Sequence, residues 1–89
     1  MKIILDLPDY DDEVGVDVFW REGSRIKVDL GDEEVCIFGN AEALRSLGEQ
    51  MIYLSQKQVP NYSHVHFDEF FCGDSIKGLK FCIGKDETV

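Results

Sequence analysis

The chain contains few of the residues that carry catalytic or metal chemistry. Of its 89 residues only two are histidine and three are cysteine, at Cys36, Cys72 and Cys82. An odd number of cysteines without a Cys-x-x-Cys spacing favours neither a disulfide framework nor a zinc site. A reducing cytoplasm is the simplest compartment for such thiols.

Long hydrophobic runs and basic patches are also missing. No apolar run approaches the roughly 18 residues that a membrane span needs, and the run at Ile3–Leu5 is too short for a secretory signal. Neither a glycine-rich phosphate loop nor a patch of mixed basic and aromatic residues is present. We therefore expect no cofactor, no nucleic-acid partner and no membrane association.

Negative charge is what the sequence has in excess. Eighteen acids face nine lysines and arginines, and residues 1–34 hold eleven of the acids but only four of the bases. Such a surface repels nucleic acid and attracts basic proteins by long-range steering, although solubility alone is an alternative explanation. The acids form two clusters, one made of Asp9, Asp11, Asp12 and Glu13 and the other of Asp32, Glu33 and Glu34.

The hydrophobic patterning predicts one α+β domain over residues 1–89. Alternating apolar residues predict four strands, then a helix over about 41–57, then two more strands. We expect them to form a mostly antiparallel sheet of five or six strands, in the order β-β-β-β-α-β-β, with the helix packed on one face. The predicted strands cover residues 2–7, 14–20, 25–30, 35–38, 62–71 and 75–83.

Two turns set the predicted strand registers. A two-residue loop at Gly31-Asp32 pairs Val28 with Val35, so that apolar side chains meet on one face. A three-residue loop over residues 72–74 pairs Val65 with Phe81, and Lys85 to Val89 is expected to fray.

The helix has a clear start and one apolar stripe. Asn40 is a good N-cap residue, and Pro60 prevents continuation at the other end. Gly48 interrupts the stripe, which indicates a close approach of helix and sheet on the buried side. The stripe consists of Leu44, Leu47, Met51 and Leu54.

A second set of apolar residues falls on the opposite face of the predicted sheet. One helix cannot cover both faces, so a partner protein or a second copy of the chain is expected there. Trp20 shares the pattern of the main core, and both core packing and a binding role fit it. The second-face residues are Phe19, Cys36, Phe38, Phe70 and Cys82.

His64, His66 and Asp68 alternate on one predicted strand. Two imidazoles and a carboxylate can begin a metal site, for which Cys82 would be a further ligand. The better interpretation is a half-exposed sheet face without metal, since such short motifs often occur by chance. Inert thiols are likewise favoured over a cysteine nucleophile, so no catalytic residue is predicted.

Three segments in the second half resemble a small bacterial immunity-protein family, immunity protein 32. They are residues 39–47, the His-x-His-x-Asp strand at 63–68, and residues 73–75 before the closing strand. The resemblance covers roughly residues 35–83 and does not extend to the first half. It implies a non-catalytic protein, encoded beside a secreted polymorphic toxin, that protects the producing cell by binding the toxin domain.

The sequence thus predicts an acidic protein that neutralises a basic toxin domain in the bacterial cytoplasm. A small homodimeric accessory protein is the alternative, and a metal-dependent enzyme is a weaker one. The predicted partner-contacting residues are Asp9, Asp11, Asp12, Glu13, Phe19, Asp32, Glu33, Glu34, His64, His66 and Asp68.

Overall fold

The computed structural model describes all residues from Met1 to Val89. It contains five strands and two helices, and neither helix is long and apolar enough to cross a membrane. A 3-10 turn at Gly73–Ser75 joins the second helix to the fourth strand. The elements are β1 (Ile26–Leu30), β2 (Val35–Gly39), α1 (Ala41–Leu54), β3 (His64–Phe67), α2 (Glu69–Cys72), β4 (Ile76–Gly78) and β5 (Phe81–Gly84).

The strands form two small sheets. In the first, β1 lies between β2, to which it is antiparallel, and β4, to which it is parallel. The second sheet is the antiparallel pair β3–β5. The α+β class is confirmed, but a single sheet of five or six strands with one helix is wrong.

The first 25 residues contain no strand, so the predicted strands at 2–7 and 14–20 are wrong. Their only sheet-like pairing is an isolated bridge between Asp11 and Gly15. The backbone that follows bonds instead to side chains of α1. The Phe19 N–H donates to Gln50 Oε1 at 2.8 Å, and the Arg21 N–H donates to Ser46 Oγ at 2.9 Å. The helix therefore supplies the acceptors that a neighbouring strand was expected to supply.

This arrangement changes which side of α1 is buried. Leu47 and Leu54 lie in the core as predicted, but Leu44 and Met51 are each about half exposed. The buried face is partly polar because the helix must bond to the N-terminal segment as well as pack. It consists of Ala43, Ser46, Leu47, Gln50, Tyr53 and Leu54.

Both ends of α1 are held by polar side chains. Asn40 Oδ1 accepts from the Ala43 N–H at 3.1 Å, which confirms the predicted N-cap. The helix ends at Leu54, three residues before the predicted position, and Lys85 donates its Nζ protons to the carbonyl oxygens of Gln56 and Val59 just beyond it. The Lys85 side chain is only 9% exposed, so this residue is anchored and does not fray.

The β1–β2 hairpin exists, but its loop comes one residue later than predicted. The Gly31 N–H donates to the Glu34 carbonyl oxygen at 2.7 Å, so the two loop residues are Asp32 and Glu33. Val28 consequently pairs with Ile37 rather than with Val35. The shift is two residues, which keeps every side chain on its predicted face.

The predicted hairpin of strands 62–71 and 75–83 is replaced by a more broken path. The first strand ends at Phe67, because Asp68 accepts from the Phe70 N–H and starts α2. The second strand is divided at Gly78, which has a φ of +83° and where a Cβ would clash with the Val28 carbonyl oxygen. Only glycine allows that approach, and it lets β4 pair with β1 before β5 returns to β3.

The main core lies where Phe67 meets both sheets and the N-terminal segment. Phe67 is fully buried, with the Phe81 ring stacked on it at 4.9 Å between centroids and the Trp20 ring at 5.6 Å. Trp20 Nε1–H donates to Ser75 Oγ at 3.1 Å. Trp20 is therefore a core residue. β5 pairs Val65 with Ile83, two residues from the predicted register.

Candidate protein-binding surface

The first acidic cluster is an exposed loop fixed against the end of α1. Its four acids, Asp9, Asp11, Asp12 and Glu13, all face solvent. The loop is anchored through Tyr10, whose N–H donates to Gln56 Oε1 at 3.1 Å. Because the backbone is tied to the helix, the carboxylates are presented from a defined position.

The second acidic cluster is the tip of the β1–β2 hairpin. Asp32, Glu33 and Glu34 are all exposed, and Glu33 has a φ of +66°, in the left-handed region. Exposed apolar side chains flank the tip, Leu30 at 69% and Val35 at 57% exposure. The tip therefore combines charge with accessible apolar surface, and a protein interface has an apolar core inside a polar rim.

The two histidines lie on the outer face of the β3–β5 sheet. His64 and His66 are exposed, with ring centroids 4.9 Å apart in an edge-to-face arrangement. His64 Nδ1 lies 2.9 Å from the Tyr62 carbonyl oxygen, and Cys82 is opposite His66.

Asp68 is not the third member of a histidine site. Its Oδ1 accepts from the Phe70 N–H at 3.0 Å, so the carboxylate serves as the N-cap of α2. No group of three or more His, Cys, Asp or Glu side chains in the structure is arranged to hold a metal ion. His66 pairs with Cys82 because β5 is displaced by two residues from the predicted register, in which Lys80 was its partner.

Two of the three thiols, Cys36 and Cys72, lack the surroundings that activate a nucleophile. Burial raises the pKa of the Cys72 thiol, and the nearby Asp68 charge raises it further. The Cys36 Sγ donates to Glu34 Oε1 at 3.1 Å, and this bond raises the pKa of Cys36 because it favours the protonated form. Both shifts oppose thiolate formation.

The predicted second apolar face is only partly present. Phe19 is half-buried and packs edge-to-face on Tyr53, with ring centroids 5.2 Å apart. Phe38 on β2 is 60% exposed and Phe70 is 84% exposed, but Phe70 belongs to α2 and not to a strand. Phe19 thus supports the fold, while the other two aromatic rings are accessible.

A second exposed apolar area was missed by the sequence interpretation. The first five residues and α1 enclose an open groove of about 770 Å³, whose helix side combines the apolar Leu44, Gly48 and Ile52 with the charged Arg45 and Glu49. Nothing lies within 4 Å of a Cβ built on Gly48, so this glycine faces the groove and not a closely packed sheet. Ile52, eight residues after Leu44, was the indication in the sequence of an additional apolar face.

These features define a small α+β protein with two exposed acidic clusters and exposed apolar side chains, in which Cys36 and Cys72 are both shifted away from the thiolate form.

The sequence model of the immunity protein 32 family matches residues 34–79, which is just over half of the chain. The chain therefore belongs to the immunity protein 32 family, as the resemblance indicated. The matched range includes β2, α1, β3, α2 and β4, while β1, β5 and the N-terminal acidic loop lie outside it. No curated protein and no solved structure matches the chain.

Proposed function

We propose that this protein is a cytoplasmic immunity protein that binds and neutralises the toxin domain of a bacterial polymorphic toxin. The observation that carries the proposal is the family match over residues 34–79. Immunity requires affinity for the toxin rather than a reaction, so the protein acts by occupying the toxin and not by catalysis. Neither a metal nor a cofactor has a role in this proposal.

The partner is proposed to be a basic protein. A net charge of −9, with most of it before residue 35, produces a negative potential that steers a positive surface toward the chain. Steering mainly raises the association rate and suppresses wrong partners, while buried apolar contacts slow dissociation. In this proposal the acids raise the association rate, and the exposed apolar groups lower the dissociation rate.

The proposed contact residues form three separate exposed groups. The acidic loop and the hairpin tip supply charge, and the outer face of β3 supplies His64 and His66. Asp68 and Phe19 take part through support, Asp68 by capping α2 and Phe19 by packing under the N-terminal segment. The acidic groups are Asp9, Asp11, Asp12 and Glu13 in the loop and Asp32, Glu33 and Glu34 at the tip.

The decisive experiment is co-expression with the toxin domain encoded by the neighbouring gene. Cells that produce the toxin domain alone should stop growing, and co-production of this chain should restore growth. The purified proteins should form a stable complex, which titration calorimetry would detect. Full toxicity in the presence of well-folded chain would contradict the proposal.

Salt dependence tests the electrostatic part separately. Raising the salt from about 50 mM to about 500 mM shortens the Debye length to below 5 Å, so the association rate should fall about tenfold or more. Asp11→Asn with Asp12→Asn should reduce the rate at low salt, whereas Asp74→Asn, an exposed acid outside both clusters, should have a smaller effect. An association rate independent of salt would contradict electrostatic steering but would not contradict neutralisation of the toxin.

A homodimeric accessory protein is the second candidate function. The exposed apolar groove between the N-terminal residues and α1 favours it, because surfaces of this kind often join two copies. Light scattering of the isolated chain distinguishes the candidates. A monomer leaves the groove free, while a stable dimer that fails to bind the toxin domain would support self-association.

A further inference from the structure

The strand β2 is an open edge of the three-stranded sheet. β1 lies on one side of it, and no strand lies on the other. Natural proteins usually protect such an edge with charged side chains, proline or a bulge. β2 has the sequence Val-Cys-Ile-Phe-Gly and pairs with β1 without interruption, so it carries none of these protections.

The hydrogen-bond pattern identifies the backbone groups that face outward. In an antiparallel pair, residues alternate between pointing toward and away from the neighbouring strand. The Gly31–Glu34 and Arg25–Asn40 pairs are hydrogen-bonded. The backbone N–H and C=O groups of residues 34, 36, 38 and 40 therefore point toward β1. The amide and carbonyl groups of Val35, Ile37 and Gly39 therefore point to the free side.

The other side of β1 gives the same assignment independently. The Val28 carbonyl oxygen accepts from the Leu79 N–H at 3.1 Å. The backbone groups of Val28 therefore point toward β4 and away from β2. Its partner Ile37 thus lies in a pair without hydrogen bonds. The outward direction of Ile37 follows from both observations.

The side chains of β2 are accessible along the same edge. Val35, Ile37 and Phe38 are 57%, 43% and 60% exposed, although all three are apolar. At the entry to the strand lie Asp32, Glu33 and Glu34, which favour a positively charged occupant. The range matched by the family begins at Glu34 and so contains the whole edge strand.

We propose that the free edge of β2 binds an extended segment of the basic toxin domain as an additional strand of the sheet. Main-chain hydrogen bonds from Val35, Ile37 and Gly39 hold the segment, and the acidic tip pairs with lysine or arginine at one of its ends. This inference rests on the proposed function and adds the mode of binding to it. The edge, rather than the N-terminal acidic loop, is the central contact.

Two substitutions at one position test the backbone bonds. Ile37→Pro removes an outward N–H without removing a bond to β1, so the fold should persist while affinity for the toxin domain falls about tenfold or more. Ile37→Thr is the matched control, since it loses a similar apolar side chain but keeps the N–H. Binding by Ile37→Pro as tight as that of Ile37→Thr would overturn the inference and leave neutralisation by the wild-type chain unaffected.

Amide hydrogen exchange by NMR on the unmodified chain tests the same point without a mutation. The amides of Val35, Ile37 and Gly39 should exchange rapidly in the free protein and become protected in the complex with the toxin domain. Those of Cys36 and Phe38 should be protected in both states. Unprotected outward amides in a formed complex would overturn edge binding, as would protection in the free protein accompanied by dimerisation. A chain that fails to bind the toxin domain at all overturns both the function and this mode.

Discussion

The side-chain amide of Gln50 pairs with the backbone at Phe19 as a neighbouring strand would. Its Oε1 accepts from the Phe19 N–H at 2.8 Å, and its Nε2 donates to the Asp17 carbonyl oxygen at 3.0 Å. Gln50 is fully buried on α1, so both of its polar groups are satisfied only by this contact. The contact explains why a segment with strand-like alternation is not part of either sheet.

Replacing Gln50 should therefore loosen the N-terminal segment. Gln50→Leu leaves a donor and an acceptor of the backbone without partners, and we expect a loss of about 2–3 kcal/mol in the free energy of unfolding. Urea titration measures the loss. Gln58→Leu is the control, because the exposed Gln58 donates only to Gln56 and its loss should cost less than about 0.5 kcal/mol. Equal effects at the two positions would contradict the role of Gln50.

The contact of Gly78 with Val28 should tolerate no side chain. Gly78→Ala combines a left-handed backbone with a clash against the Val28 carbonyl oxygen, and we expect a loss of about 3 kcal/mol or more. Gly23→Ala has nearly the same φ, +84°, but open space around the new Cβ, so it should cost only about 1–2 kcal/mol. Thermal unfolding of both variants separates the clash from the backbone strain. A smaller loss for Gly78→Ala than for Gly23→Ala would disprove the close approach.

Lys85 should stabilise the chain by donating hydrogen bonds to the backbone just beyond the end of α1. Its ammonium group donates to two carbonyl oxygens, and Lys85→Met should lower the free energy of unfolding by about 1.5–3 kcal/mol. Lys57→Met provides the control, because Lys57 is exposed and should give a change within about 0.5 kcal/mol. Denaturant unfolding of the two variants is the measurement, and a Lys85→Met variant as stable as wild type would refute the anchoring of the tail.

Glu33 should have opposite effects on folding and on binding. Glu33→Gly relieves a left-handed residue with a side chain, so stability should rise by about 1 kcal/mol. Under the proposed binding to a basic toxin domain, the lost charge should slow association. Glu33→Gln loses the same charge but keeps the strain, so it should bind equally slowly without the gain in stability. Melting temperature and association rate are measured on both variants. A difference in association rate between them would show that backbone freedom, and not charge, governs the encounter.

The reactivity of Cys36 reports on the hairpin tip. The Glu34 carboxylate holds the Cys36 proton and raises the pKa of the thiol above its ordinary value, so little thiolate forms at neutral pH. In Glu34→Gln the pKa should return toward that value, and alkylation by iodoacetamide should be faster at pH below it. Peptide mass spectrometry follows the reaction at Cys36, with exposed Cys82 as an internal reference. An unchanged ratio of the two rates would argue against the Cys36–Glu34 bond.

The metal hypothesis shows what a local sequence pattern can and cannot predict about a site. His64, His66 and Asp68 alternate in the sequence as ligands on one strand face would, yet the strand ends at Phe67 and Asp68 caps the next helix. The motif could predict the alternation of the histidines, which the structure retains on the exposed side of β3. It could not predict that the Asp68 carboxylate accepts from the Phe70 backbone N–H and so does not join the histidines.

Local chemistry also decided several features that the sequence predicted correctly. Asn40 forms a cap because its side chain reaches an N–H only three residues away, and the hairpin around Asp32 forms between adjacent segments. Side-chain alternation likewise survives a register shift of two residues, which is why Ile26 and Val28 are buried even though their partners were misassigned. Such features depend on spacings of a few residues.

The sequence by itself thus determined the α+β class, the capped helix, the first hairpin, the acidic exterior and the family. Tertiary structure alone decided which segments pair: the helix amide of Gln50 with the N-terminal backbone, β4 with β1 through Gly78, and Lys85 with the end of α1. The physical reason is that each buried backbone N–H and C=O must find a partner within the protein, but the pattern of side chains does not specify which one. That choice depends on which distant groups the packed chain brings within reach, and it also left the edge of β2 open.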